Sequence, residues 1–533
     1  MRSVVCGEAS DECSSIHRTD PLRCSGTKVP TPLASLFRQE DTLVLLARNV
    51  CPTTLEGNHK RQETNNLIAG ETHVVATMKR TAIIFALIIL TLVAPNPAAA
   101  QNRYIVRTTG GLSSVLNLCN LLQCQVQGSL DGPVGQNFLV TSSNNLLVNL
   151  VNGTLNLVES LLGIVSVEAD RLLPIPQPSL SSVPSGLYDT APVNYYGSVV
   201  WHGYAAQPAT HIIRLQDAQN GFRVAGTGVV AVIDTGVDIN HPVLTSVLLP
   251  GYDFTRNQPG ASEWLDVDGL QNGHVDTNTQ NQQPGYVQQS TAAVLDQSTA
   301  AVLDGKPYTA FGHGTMTSGL VHLVAPQAKI LPLKAFSSDG TGYLSNIVAA
   351  LYYAVQHHAN VVNMSFDLTS SSSALNQAVS YANKAGVVLV AAAGNESTSA
   401  PVYPAALNSS VVGIASTTNW DSRSSFSNYG STDVWIAAPG ENIVSTFPGG
   451  TYASASGTSF SSPIVAGTVS LMLSAKSQSI NQSQAASALS HAQALTSNLN
   501  HGRLDAYQAV SAWVNNSGST SGSGSGTCLL LCW

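Results

Sequence analysis

The sequence predicts an α/β protein: a parallel sheet with helices on both faces, preceded by a small α/β module. Three observations carry this. Five β-branched runs, VVAVID (229–234), KILPLKA (329–335), ANVVNMS (359–365), GVVLVAAAG (386–394) and VVGIAS (411–416), are apolar nearly throughout rather than alternating, the signature of strands buried on both faces. Amphipathic stretches such as Leu344 to His357 lie between them, and strands alternating with helices imply parallel crossovers. Upstream, RYIVRT (103–108), an apolar helical stretch around Leu112 to Leu122, FLVTS (138–142), a periodic stretch near Leu146 to Leu162 and GIVSVEADRLL (163–173) alternate strand and helix signals within a short span.

A chain of 533 residues with 44% hydrophobic content can bury one or two sizeable cores. Its net charge of -8, from 31 acids against 23 bases, leaves no basic tract suited to a phosphate backbone, so nucleic acid is excluded as an expected partner. The cysteines stand at Cys6, Cys13, Cys24, Cys51, Cys119, Cys124, Cys528 and Cys532, and the span from 125 to 527 holds itself together without them. Their spacings match no zinc pattern, while the short loops Cys119/Cys124 and Cys528/Cys532 are each open to disulfide closure in an oxidising compartment. No cofactor or metal site is expected.

Residues 78–100, MKRTAIIFALIILTLVAPNPAAA, join the basic Lys79 and Arg80 to an apolar run and a small-residue end at Ala98 to Ala100. This is the pattern of a secretory signal peptide. Pro95 and Pro97 end the run before the roughly 18 to 20 apolar residues needed to span a bilayer, so an extracellular protein with no stable membrane span after signal removal is expected. Met78 opens such a signal in the usual way, and residues 1–77 are expected to be an untranslated upstream extension. The module at 101–173 is followed by a Pro- and Ser-rich linker, PIPQPSLSSVPSG, within 174–197; the large domain at 198–513; and a Gly/Ser linker with a CLLLCW tail at 514–533. QSTAAVLD occurs twice in tandem, at 289–296 and 297–304, which reads as a duplication in a surface loop.

Three segments concentrate the chemistry: VVAVIDTGVD around Asp234, FGHGTMTSG around His313 and SGTSFSSPIVAG around Ser459. Each residue alone has a plain reading, Asp234 as a turn opener, His313 as a structural histidine and Ser459 as a helix cap. Asp-Thr-Gly also marks peptidases that need a second such loop, and none exists here. Together, in the order Asp, His, Ser, the segments resemble the subtilisin family of serine peptidases. The resemblance covers most of the large domain and ends near GRLDAYQAV (502–510). It implies a three-layer subtilisin-like fold and peptide hydrolysis through an acyl-enzyme. Asp234 would orient His313, His313 would act as base and then acid, Ser459 would be the nucleophile, and Asn395, after Gly394, would complete the oxyanion hole. Tyr403 and Pro404 would border the pocket for the residue before the cut bond. The module at 101–173 resembles the inhibitor propeptides of that family, so the partners implied are protein or peptide substrates and the chain's own propeptide as an intramolecular inhibitor.

The sequence also departs from the family. Its substrate-pairing Ser-Leu-Gly is replaced by Ser365, Phe366 and Asp367, and Asp367 is expected to narrow the pocket mouth and add negative potential there. Val243 stands where many members place a calcium-binding aspartate, and the loop after His313 lacks the usual insertion, so that calcium site is not expected. The acidic loop from Asp266 to Asp276 is a weak candidate for a cation. A catalytically dead binding module, or an esterase or transferase on the same scaffold, are the competing functional classes.

Overall fold

The computed structural model describes residues 102–143, 147, 162–175, 184–267 and 310–515. All belong to the second of two compact units, Leu90–Trp533. The signal-like segment, the tandem repeat, the stretch near Leu146 to Leu162 apart from its two described positions, most of the acidic loop and the CLLLCW tail lie outside the described residues.

The N-terminal module runs β1 (Asn102–Thr108), α1 (Gly111–Leu122), β2 (Cys124–Ser129), β3 (Asn137–Ser142) and β4 (Ile164–Ala169). Its sheet has the order β2-β3-β1-β4, antiparallel throughout. Val115, Leu118, Cys119 and Leu122 form the buried stripe of α1, the i, i+3, i+4, i+7 spacing of a helix packed on one face. A disulfide joins Cys119 to Cys124 across the turn from α1 into β2. A short strand, β5 (Leu172–Pro174), leaves the module.

The large domain contains an eight-stranded sheet built from β6 (Val229–Asp234), β7 (Tyr252–Asp253), β8 (Gln258–Pro259), β9 (Lys329–Lys334), β11 (Val361–Met364), β12 (Val388–Ala392), β13 (Val412–Thr417) and β14 (Ile436–Pro439), while β10 (Thr341–Tyr343) stands apart from it. The order is β8-β7-β9-β6-β11-β12-β13-β14. Every neighbouring pair is parallel except β8 with β7. The apolar runs prove to be double-faced strands. Val230 and Val232 of β6 join one core with Met316 and Leu320 of α2 (His313–Val324) and Ile464 and Val465 of α5 (Thr458–Ala475). Ala231 and Ile233 join the opposite core with Ile347 and Leu351 of α3 (Leu344–Gln356) and Leu375 and Val379 of α4 (Ser373–Lys384). Period-two alternation is therefore present but hidden, because both faces are dry.

The module docks on this second layer. Asp170 accepts hydrogen bonds from the Ser345 N–H and Oγ, both at 2.8 Å, at the start of α3, and from Arg103 Nε at 2.8 Å. Glu168 accepts from the Ser372 Oγ at 3.0 Å and from the N–H groups of Ser373 at 3.2 Å and Ala374 at 2.8 Å, at the start of α4. Two acids of the module thus serve two helix N-termini, where free N–H groups and the helix dipole favour negative charge. Beyond them β5 pairs antiparallel with β10, and Ile175 donates its N–H to the Gly340 carbonyl at 2.7 Å.

Candidate active site

In an open parallel sheet the strand carboxyl ends gather loops at one edge, and the candidate residues collect there. Asp234 is the last residue of β6. His313 opens α2. Ser365 follows β11 directly, Asn395 lies just past β12, and Ser459 is the second residue of α5.

Asp234 and His313 are 79 positions apart in the chain, and their side chains are joined by a 2.7 Å hydrogen bond from His313 Nδ1 to Asp234 Oδ1. The Thr235 N–H donates to the same oxygen at 2.7 Å, and Thr317 Oγ1 donates to Oδ2 at 3.1 Å. The close approach depends on Gly314: a Cβ there would fall 2.0 Å from the Gly236 carbonyl oxygen. With Nδ1 bound to the carboxylate, the buried Nε2 has no hydrogen-bond partner among the described residues. The imidazole lies against Phe460, the residue after Ser459, with ring centroids 5.4 Å apart.

The Ser459 hydroxyl is 3.2 Å from the Ser365 carbonyl, and the Ser365 hydroxyl donates to the Ser459 carbonyl at 2.9 Å. The second bond follows from Pro463. A proline is tolerated best in the first helical turn, but Pro463 is the sixth residue of α5. Its missing N–H would otherwise reach back four residues to Ser459, so that carbonyl is left for Ser365. Asn363 ties the group together, donating to Ser365 Oγ at 2.9 Å and accepting from Ser462 Oγ at 2.6 Å.

Asn395 is oriented by Thr458. Its Oδ1 accepts from the Thr458 N–H at 2.9 Å and Oγ1 at 3.0 Å, which leaves the buried Nδ2 with no partner among the described residues. An amide N–H beside the start of α5, free to donate, is what a developing oxyanion requires.

The remaining substrate candidates surround Gly394. Phe366 turns its ring into the second core layer, 5.2 Å from Phe336, so only its backbone is left for a substrate. Tyr403 and Leu368 exchange backbone hydrogen bonds at 2.7 and 2.8 Å, and the Tyr403–Pro404 peptide is cis. Gly394 has φ +94°, and a Cβ on it would lie within 2.8 Å of Asn428 Nδ2, Glu396 Oε2 and Asp367 Oδ2 together. Asp367 is only 9% exposed. Burial first, then Glu396 and Asp433, push its carboxyl up to about 7. The expected negative potential is therefore attenuated by partial protonation near neutrality.

One residue of this edge is absent from the sequence expectations. Glu263 is buried and accepts from Thr235 Oγ1, Thr315 Oγ1 and the Gly314 N–H. Burial, the largest cause, pushes its carboxyl up to about 7 despite the threonine hydrogen bonds and Lys334. In sequence it is an ordinary acid in the short mixed stretch SEWLD (262–266). Asp266, first acid of the candidate cation loop, is held by Lys334 Nζ at 2.6 Å, Arg256 at 2.5 Å and the Ser338 N–H at 2.7 Å. Among the described residues no group of three or more His, Cys, Asp or Glu is arranged to hold a metal. Val243 is a buried core residue.

A family model described as "Subtilase family" matches residues 226–517. The chain is 35% identical over 272 residues to "Thermitase" of Thermoactinomyces vulgaris, covering 49% of this chain and 80% of that protein. It is 34% identical over 282 residues to "Thermophilic serine proteinase" of Bacillus sp. (strain AK1), covering 53% of this chain and 61% of that one. A solved structure of "a cold adapted subtilisin-like serine proteinase" is 30% identical with a TM-score of 0.41, over 53% of this chain and 89% of that chain.

Proposed function

This chain belongs to the subtilase family and is a serine endopeptidase; from that premise we propose that Asp234, His313 and Ser459 are its catalytic triad, that Asn395 completes the oxyanion hole, and that the protein is an exported precursor that processes itself. Ser459 Oγ attacks the scissile carbonyl while His313 Nε2 takes its proton. The tetrahedral oxyanion is received by Asn395 Nδ2 and the Ser459 N–H. His313 then returns the proton to the leaving amine, and water hydrolyses the acyl-enzyme by the same route. Asp234 holds His313 in the tautomer with its lone pair on Nε2 and stabilises the imidazolium that forms.

The buried 2.7 Å contact between Asp234 and His313, with Nε2 left over, is the observation that carries this reading. Its test is release of peptides from casein by the purified protein. A serine-directed sulfonyl fluoride should abolish that activity, as should Ser459→Ala, and pepstatin should not.

Self-processing is supported by the position of the N-terminal module. Its acids serve α3 and α4, and β5 pairs antiparallel with β10, adding a strand to its edge as an extended peptide would. The module therefore reads as a propeptide that covers the site until the chain is cut between Leu172 and Trp201. Export rests on the segment at 78–100. No described helix is long and apolar enough to cross a membrane.

A further inference from the structure

We infer that the pocket beside the nucleophile is built for a basic side chain, so that this endopeptidase prefers to cut after lysine or arginine. The inference rests on the catalytic reading of Ser459 given above and names the substrate class that site serves.

A peptide whose carbonyl lies between Ser459 and Asn395 must hang the preceding side chain between the segments that follow β11 and β12, residues 365–368 and 394–396. Tyr403 forms the third wall through its backbone pairing with Leu368. Into this space the structure aims two carboxyl groups from separate segments. The point where residue 394 would carry a Cβ is 2.8 Å from Asp367 Oδ2, 2.6 Å from Glu396 Oε2 and 2.4 Å from Asn428 Nδ2, which donates to Glu396 Oε2 at 2.8 Å and leaves Asp367 Oδ2 as the unpaired atom of the three. Asp433 stands behind them, fully buried, with Oδ1 accepting from the Val402 N–H at 3.2 Å. Asp367 Oδ2 and Asp433 Oδ2 are both buried without a hydrogen-bond partner among the described residues. Among those residues no lysine, arginine or histidine forms an ion pair with Asp367, Glu396 or Asp433.

A buried carboxyl oxygen left unpaired is destabilising, and a ligand that pairs it recovers that free energy. The side chain best matched to two converging carboxyls is a cation with several N–H donors. Burial and its acidic neighbours raise the Asp367 pKa, and an incoming ammonium or guanidinium would offset the repulsion from Glu396 and Asp433 by pairing directly with the carboxylate. An aromatic or aliphatic side chain would dehydrate Asp367 further with nothing to donate to it, and a glutamate would add another negative charge. A pocket built to hydrogen-bond its ligand discriminates strongly against one that cannot. Residues 172–201, the window of the proposed cut, contain no Lys or Arg, so cutting there relies on the high local concentration of an intramolecular substrate.

The test is a set of peptide p-nitroanilides identical except for Lys, Arg, Phe, Leu or Glu before the cut bond, assayed on the protein as purified from the secreting culture. A fluorophosphonate probe counts active Ser459 in every sample, so failure of the catalytic reading, seen as no labelling, is distinguished from failure of this one. The wild type should favour Lys and Arg over Phe by at least tenfold in kcat/KM. Asp367→Asn and, independently, Glu396→Gln at the exposed rim should each cut that ratio several-fold. A labelled enzyme that prefers Phe or Leu, or a ratio unmoved in both variants, overturns the inference.

Discussion

The Glu263 carboxylate lies 3.2 Å from the N–H of Gly314, the residue that follows His313. Through Thr235 and Thr315 the same carboxyl reaches the loop of Asp234 and the first turn of α2. It thus braces the two halves of the Asp234–His313 pair without touching either side chain, which makes it a positioning group.

Its titration should be visible in stability. The folded pKa of Glu263 is raised from 4.5 to about 7. Its contribution is then complete below the unfolded value and is lost as pH rises through the folded one, because the folded state holds the proton longer. Between pH 5 and 8 the wild type should lose on the order of 2–3 kcal/mol that Glu263→Gln does not lose. Asp367 and Asp433 shift in the same direction, so the measured quantity is the difference between the two proteins' melting temperatures across that range. Parallel curves would refute the assignment of this proton to Glu263.

Asp234→Asn should lower kcat by about 10⁴-fold, the scale on which such triads respond to loss of the correct imidazole tautomer. Its melting temperature should shift by only a few degrees, since the amide oxygen can still accept from the Thr235 N–H, while the Thr317 hydroxyl, which also reaches the Gly314 carbonyl at 3.1 Å, can turn to accept from the amide nitrogen. A variant that unfolds instead would point to a structural role for the carboxylate.

Asn395→Ala should reduce kcat by about 10²–10³-fold with little change in KM, as expected of a donor used only in the transition state. Thr458→Val removes one of the two bonds that aim the amide and keeps the backbone one. Its loss should be smaller, and equal losses in the two variants would argue against this division of roles.

Ser459→Ala should remain a precursor extending from Gln101, while the wild type yields a shorter chain that begins between Leu172 and Trp201. N-terminal sequencing of both secreted products decides this, and processing of Ser459→Ala at the same bond and rate would assign maturation to another protease.

In that locked precursor, Asp170→Ala should be destabilising by about 1–3 kcal/mol, because it leaves Ser345 and Arg103 without their acceptor. Calorimetry on Ser459→Ala with and without the second substitution measures it. No change would mean that Asp170 adds nothing net to the hold that Glu168 and the apolar contacts already provide.

What the sequence determined by itself was what is local in the chain. Continuous apolar runs specified buried parallel strands. The strings around Asp234, His313 and Ser459 specified the family, because hydrolysis by a serine demands a particular set of groups within short motifs. The helix ending at Leu122 and that from Leu344 were legible from periodicity alone. Only the tertiary structure decided what depends on contacts between distant segments. Nothing in SEWLD distinguishes Glu263 from a solvated acid until folding places it under Thr235 and Gly314. Likewise Asp367 reads as a substituted glycine, and its convergence with Glu396 and Asp433 appears only when the ends of β11 and β12 lie side by side. The charge state of a carboxyl is set by the water it has lost and the groups it meets. Folding decides both, and the order of residues along the chain records neither.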